Sequence, residues 1–577
     1  MKDQVRIHRM LFLACSLVLI LAALYLAVNR SLSSTLEGES AEIAREFLEG
    51  HAIVVNHLNG QEDLDKPALY YWIIALVSKL VHKWELAARL PSIASVFMLA
   101  LAIYLIGSPS DSRLLFPLTC FIMVTSPKVL LMSQTARMDM LFTAACFGSV
   151  VAFYLFWKGM EEEGAGSGFP VGFFVLAACA VLLKGPVGAI LTFCPVAIFI
   201  CMERRWHMLR SVFLGRGMIL FLVLTVPWFV AATVETNFRF FHRFVLEENL
   251  SRFTSMIPGG TFKNFSHHPM NRYFLYFLAG FFPWSIIWPF WVYEVVRNWN
   301  EKDSRAKLFF IYFSFIFIFF TMAISKRSDY ILPLYPAGAF LTAQFILKGQ
   351  KRWRVEAPYV AFFAVMFIAA TLLSALSFAL IFHGPEGLPH FLSRLKKLEL
   401  YSFLLLKYPY LVATLVLLAT VNFVGLISLC VGRKKRHQDK AFISLSPPVL
   451  MTISLVVFVT VVLSSIYKEK DTRGFCKEVA CLVKNCPLYY YDFWDEECTF
   501  YLHREINAIY GVERLRSEIN KGEKIFLILR DSQLRTLQQK GIYFPFVCRK
   551  NSPPLRPLVL VCNKPMEKHC GSDSLAQ

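Results

Sequence analysis

About thirteen times along this chain a run of some 17–25 residues is almost wholly apolar, the length that carries an α-helix across a hydrocarbon core. Few folds are open to such a chain, because backbone amides in lipid must find partners within their own helix or a closed barrel. The expectation is a polytopic all-α membrane protein. The spans read from the sequence are 10–28, 91–108, 112–127, 139–157, 169–184, 186–203, 213–233, 273–296, 307–325, 330–348, 357–382, 403–431 and 448–466. The stretch 68–82 is apolar but short, and reads as a helix lying in the interface. Lys184-Gly185-Pro186 interrupts 169–203 as either a tight turn or a broken helix. Composition agrees, with 56% apolar and 18% charged residues and a mean hydropathy of +0.50.

The formal charge of +19 follows from topology rather than from a nucleic-acid partner. Its densest clusters are Lys2, Arg6 and Arg9; Arg204, Arg205, Arg210 and Arg216; Lys351, Arg352 and Arg354; and Arg433 to Arg436. All fall on one parity of the loops, which places them in the cytoplasm. The N-terminal segment resembles a signal peptide without a clean cleavage site and reads as an uncleaved first span, with the N-terminus cytoplasmic. The loop 29–90 and the tail 467–577 are then extracytoplasmic, and residues 1–466 form the transmembrane domain.

The tail reads as a small mixed α/β domain. Short strands are expected at Cys486–Tyr491, Lys524–Leu529 and Pro557–Cys562, a helix at Glu513–Lys521, and disorder over Ser572–Gln577. Seven of the fourteen cysteines lie in it, which suggests disulfides in an oxidising compartment with one thiol left over. Zinc-type CxxC pairs are absent from the sequence.

On this topology one face collects the ionisable groups: Glu37, Glu39, Asp65, Lys66, Arg137 with Asp139, Lys184, Glu248 with Arg252, His267, His268, and Lys326 to Tyr330. Each has a plainer reading taken singly. Asp139 serves as a helix cap, Lys184 as a snorkelling lysine, Asp65 and Lys66 as helix-start residues, Glu37 and Glu39 as solvated charges, and the histidines as loop residues. Charges at span ends are costly unless paired or solvated, so their accumulation on one side argues for a site.

In order along the chain, EGESAEIAREFLEG, LDKPALYYW, ELAARLPS, TARMDMLFT, LLKGPVG, FVLEENLSRFT, FLAGFFPW and SKRSDYILPLYP occur. Single motifs of this kind are weak, but eight in register over about residues 10–345 are specific. They resemble the bacterial inner-membrane 4-amino-4-deoxy-L-arabinose lipid A transferases, which are related to the dolichyl-phosphate-mannose protein mannosyltransferases. The resemblance implies a GT-C glycosyltransferase fold, a polyprenyl (undecaprenyl) phosphate sugar donor, and transfer at the periplasmic face of the inner membrane. It implies catalytic carboxylates at Glu37, Asp139 and Asp65, and a donor-phosphate site of Lys66, Lys184, Arg252 and Tyr330. Glu39, Glu248 and His268 are candidates for a divalent metal ion or for the acceptor, and no other cofactor is implied. Many relatives carry Asp-Glu in the first loop where this chain has Leu36-Glu37, which leaves the general base and any metal dependence open.

The chemistry suits these residues. Breaking the sugar C1–O bond builds charge on the leaving phosphate, which cations stabilise, and a carboxylate orients or deprotonates the acceptor. Direct displacement with inversion is the expected course. The acceptor is lipid A, another glycan or a protein. The rival readings are a protein O-mannosyltransferase-like enzyme, a glycan ligase with the same donor, or a lipid-linked sugar flippase. The last would place its charges near mid-span and show repeat symmetry.

Overall fold

In a computed structural model the chain is described except at residues 1, 34, 51–52, 109–110, 164–168, 251–270, 324–325, 349–352, 384–406, 436–445 and 566–577. It divides into two compact units. The first comprises Met1–Val28, Ala52–Asn56 and Glu62–Leu463, and the second Asn29–His51, His57–Gln61 and Ser464–Gln577.

The first unit is helical. Among the described residues, eight helices are long and apolar enough to cross a membrane, including Trp84–Leu105, Met138–Glu161 and Ser304–Met322. The remaining expected spans are shorter because Gly and Pro interrupt them. Val171–Lys184 and Val187–Met202 are separated at Gly185-Pro186. Leu115–Thr125 gives way to a new helix starting at Pro127. The expected span 273–296 is two helices, Arg272–Gly280 and Trp288–Arg297, divided around Pro283. The interfacial stretch forms the helix Leu69–Leu80.

Ion pairs between loops and span ends sort into two sets. Arg305 meets Asp111 at 2.7 Å, Lys307 meets Glu203 at 3.0 Å and Arg354 meets Glu294 at 3.1 Å. Arg137 meets Asp329 at 2.5 Å, Lys184 meets Asp139 at 2.6 Å and Arg243 meets Asp65 at 3.0 Å. The first set joins loops of one parity and the second set loops of the other. That is the pattern alternating spans require.

After the short strands β1 (Asn56–Leu58) and β2 (Gln61–Asp63), the second unit is built on a sheet of five strands, β3 (Leu488–Tyr491), β4 (Asn507–Ile509), β5 (Phe526–Arg530), β6 (Phe546–Cys548) and β7 (Leu558–Cys562). Their order across the sheet is β4-β3-β5-β7-β6. β3 runs parallel to β4 and β5, while β7 is antiparallel to β5 and β6. Side chains alternate across it: Tyr490, Phe526, Ile528 and Leu560 enter one core cluster, and Tyr491, Leu527, Leu529 and Val561 the other. The three strands and the helix expected in the tail are present. The short strands β4 and β6 carry too few residues to show a period. The expected disorder at 572–577 lies outside the described residues.

Residues 29–51, expected as part of the transmembrane domain, fold instead with the tail. The helix Thr35–Leu48 lies against the helix Glu496–Leu502, and a Cβ on Gly38 would come within 2.6 Å of the Glu497 amide nitrogen. Only glycine permits that approach. The Leu32 amide donates to the Tyr501 hydroxyl at 3.0 Å, and the Asn59 side chain pairs with both backbone groups of Ile506 at 2.9 and 2.7 Å. No disulfide of the expected set is present among the six described tail cysteines, and the sulfurs of Cys476 and Cys498 approach to 3.4 Å.

Asp495 and Glu497 are both buried and share the Arg556 guanidinium, at 2.8 and 3.0 Å. One cation cannot neutralise two buried carboxylates. Burial, with Asp495 beside it, pushes the Glu497 carboxyl up to about 8. Because the folded-state value lies above the unfolded one, the unfolded chain ionises first as pH rises, and stability falls between about pH 4.5 and pH 8. In the full chain, hydrogen-exchange protection of residues 488–502, corrected for intrinsic rates, is expected to drop from about pH 5.5 to about pH 8.5. Glu497→Gln flattens that dependence, and an unchanged slope in the variant would refute the assignment.

Candidate active site

The helix Met138–Glu163 carries Asp139 in its first turn, and Val171–Lys184 ends on Lys184 in its last. Each charge sits at the helix end whose dipole favours it. Lys184 Nζ donates to Asp139 Oδ1 at 2.6 Å, and Arg137 Nη2 approaches Asp139 Oδ2 at 2.9 Å. Asp139 is 4% exposed, a burial that one cation would scarcely offset and two do. The same Arg137 nitrogen reaches Asp329 Oδ2 at 2.5 Å, and Arg327 Nε lies 3.3 Å from that oxygen. Lys128 Nζ donates to Ser328 Oγ at 2.9 Å. The Lys184 ammonium stands 5.1 Å from the ring centres of both Phe142 and Tyr330. Among the described residues, Lys128, Arg137, Lys184 and Arg327 thus stand around two carboxylates, four cations to two anions.

Two motifs hold this cluster in place. In AARLPS, the buried Arg89 donates to the Ala27 carbonyl at 2.7 Å, and the Ser92 hydroxyl donates to the carbonyls of Thr135 and Arg137 at 2.7 and 3.1 Å. In LLKGPVG, Gly185 adopts φ +83°, outside the range of other residues, and turns the chain directly after Lys184.

A second group surrounds the DKP motif. Asp65 Oδ1 accepts from Arg243 Nε at 3.0 Å, and Arg243 Nη1 also reaches Glu247 Oε2 at 2.7 Å. Arg239 pairs with Glu62 at 3.0 Å. Glu62, Asp63, Asp65, Arg239, His242 and Arg243 line a cavity of about 510 Å³. The Lys66 carbonyl accepts from Asn56 Nδ2 at 2.7 Å, which orients the loop. Phe244, next to Arg243, packs so closely on the Lys184 turn that a Cβ on Gly185 would lie 2.4 Å from its ring. Tyr70, four residues after Lys66, is within electrostatic reach of Arg137. Asp139, Lys184 and Tyr330 thus stand together, and the Asp65–Arg243 group adjoins them through Phe244, which packs on the Lys184 turn.

Glu37 and Glu39 belong to the second unit. Both Glu37 oxygens accept from Arg30, at 2.9 and 3.0 Å, and Arg30 stacks 4.2 Å from the Tyr467 ring centre. Glu37 is 1% exposed, and this bidentate pair gives it a place in the core of that unit. Arg252, His267 and His268 lie outside the described residues, and Glu248 is placed only as backbone within the π-helix Phe241–Leu250. Among the described residues no cluster of three His, Cys, Asp or Glu side chains is set to hold a metal ion. Lys128 and Arg243 were missed, and Asp329 was included only within the run Lys326 to Tyr330, without its partner Arg137. Arg243 with Glu247 is an i,i+4 pair that a charge-spacing search finds.

The first cluster is a preorganised cationic site. Asp139 is engaged at both oxygens, by Lys184 and Arg137, whereas the Asp65 side chain is 41% exposed at the cavity edge, with Arg243 as its ion-pair partner among the described residues.

The sequence profile of the dolichyl-phosphate-mannose-protein mannosyltransferase family matches residues 65–230. An uncharacterized protein of Aquifex aeolicus (strain VF5) is 27% identical over 342 residues, 59% of this chain and 64% of its own length. The undecaprenyl phosphate-alpha-4-amino-4-deoxy-L-arabinose arabinosyl transferase of Serratia proteamaculans (strain 568) is 25% identical over 317 residues, 54% of each chain. The sequence likeness thus spans just over half to under two thirds of these relatives. The crystal structure of ArnT from Cupriavidus metallidurans bound to undecaprenyl phosphate superposes with a TM-score of 0.74 at 20% identity, over 96% of this chain and 98% of that one.

Gly185→Ala places a Cβ in a backbone region closed to alanine and against the Phe244 ring. It is expected to cost about 1–3 kcal/mol. The thermal midpoint of the detergent-solubilised protein checks this, and an unchanged midpoint would mean that the turn has no such constraint.

Proposed function

We propose that this chain, a membrane protein with the GT-C fold and a mannosyltransferase-family segment, is a glycosyltransferase that moves a sugar from a polyprenyl phosphate to an extracytoplasmic acceptor of the lipid A type. The observation that carries this reading is the set of four cations, Lys128, Arg137, Lys184 and Arg327, that stands around Asp139 and Asp329 among the described residues at the ends of apolar spans. Such a site matches the charge that grows on a leaving lipid phosphate. The solved relative that shares this fold over nearly its full length was crystallised with undecaprenyl phosphate.

In this reading Lys184 and Lys66 face the donor phosphate as point charges, and Arg137 holds Asp139 and Asp329 so that the cations need not reorganise during the reaction. Tyr330 closes one side of the Lys184 ammonium. Arg252 completes the phosphate set by its place in the motif. The C1–O bond to phosphate breaks as the acceptor oxygen attacks from the opposite side, which inverts the anomeric centre. A phosphate acceptor arrives already ionised. A hydroxyl acceptor passes its proton to Asp65.

The site lies on the periplasmic side of the inner membrane, with the N-terminus in the cytoplasm. Two features support this. Residues 29–51 and 464–577 fold as one unit, so the first loop and the tail share a side. The loops densest in Lys and Arg take the other parity.

Transfer by the purified protein in lipid, from an undecaprenyl-phosphate sugar to lipid A, tests the chemistry by mass analysis of the product. Lys184→Ala and Asp139→Asn are each expected to lower the rate by about 10²–10³-fold while the protein still inserts. Full activity in both variants would remove the site from the mechanism. For the topology, an enzyme reporter fused after Lys468 is expected to be active only outside the cytoplasm, and a cytoplasmic signal would overturn the orientation.

A further inference from the structure

We propose that Cys476 and Cys498 form a structural disulfide that staples the helix Arg473–Val483 to the helix Glu496–Leu502. This rests on the reading that residues 464–577 lie outside the cytoplasm. The two sulfurs are 3.4 Å apart and 22 residues apart in sequence. The side chains are 1% and 0% exposed, within the core cluster that contains Tyr490, Phe493 and Phe526. A disulfide needs a separation of about 2.05 Å, so small side-chain rotations bring the sulfurs within bonding distance, with both helices already packed together. The other described tail cysteines occupy different settings: Cys481 is exposed, Cys486 and Cys548 are half-buried, and Cys562 is buried.

The bond forms while the chain folds, before the core closes over the thiols. A low-molecular-weight disulfide such as glutathione disulfide supplies the oxidising equivalents. One cysteine thiolate attacks it and releases a glutathione thiol. The second cysteine then displaces the other, so two cysteine thiols lose two electrons and two protons, and one external disulfide becomes two thiols. Once formed, the bond is shielded from reductant by its burial.

The staple bears on more than the tail. The helix Glu496–Leu502 provides the surface on which Gly38 sits, a Cβ there lying 2.6 Å from the Glu497 nitrogen. The helix Thr35–Leu48, with its Arg30–Glu37 pair, is therefore seated on an element that the disulfide fixes.

Protein extracted from membranes into denaturant with an alkylating agent, without reductant, is digested and mass-analysed. A Cys476–Cys498 linked peptide is expected. Alkylation of both cysteines overturns the proposal. Cys476→Ala with Cys498→Ala is expected to lower hydrogen-exchange protection across residues 473–502 by roughly a hundredfold, as does prolonged reduction of the parent, with no further effect of reductant on the variant. Should that variant fail to fold, the peptide analysis of the parent decides alone. Labelling of exposed Cys481 by a membrane-impermeant maleimide in spheroplasts reads the topology separately. Labelled Cys481 with two alkylated thiols rejects the disulfide and keeps the topology. Unlabelled Cys481 with a linked peptide keeps the disulfide and rejects the topology.

Discussion

The contact on which the membrane unit's site depends is the pairing of Lys184 with Asp139, 2.6 Å apart where one helix ends and another begins. In water such a pair contributes little. At a span end, where Asp139 is almost wholly buried, each partner has few alternatives, and parting them would leave a charge without compensation. The two helix termini are thereby held together, and with them the loops that follow. Arg137 extends the network to Asp329, so that three separate segments converge through charge rather than through apolar packing alone.

Because the cations outnumber the carboxylates, the network retains a positive field after its internal pairs are satisfied. In the proposed reaction a lipid phosphate entering from the bilayer boundary would meet donors that are already oriented. That is the condition under which electrostatic stabilisation of a leaving group is most effective. The residues around the site divide the work. Ser92 and Gly185 fix backbone, and Asp139 and Asp329 fix the cations, which on the proposed reading face the substrate. Asp65 stands at a more open cavity, which on the same reading would receive the acceptor.

The second unit shows how one motif can carry two kinds of information. EGESAEIAREFLEG suggests catalysis through Glu37, yet the structure buries Glu37 against Arg30 and sets Gly38 against the tail. Buried ion pairs and close backbone approach are features of packing as much as of chemistry. The same unit buries two carboxylates beside Arg556, which leaves a proton on Glu497 well above the usual carboxylate range.

The hydrophobic runs by themselves determined that this chain is a helical membrane protein, because lipid leaves the backbone no other economy. Charge parity along the loops told which groups share a face, and the order of the motifs pointed to the GT-C fold. β3, β5 and β7 were also legible, since their apolar runs are bounded by turn residues. What the linear order did not contain was pairing between distant segments. Nothing within five residues of Asp329 says that it faces Arg137, 192 positions away. Nor does the first loop announce that it folds with the tail rather than with the spans on either side. Both were decided by tertiary structure, because burial of charge and closeness of backbone are properties of the space between segments.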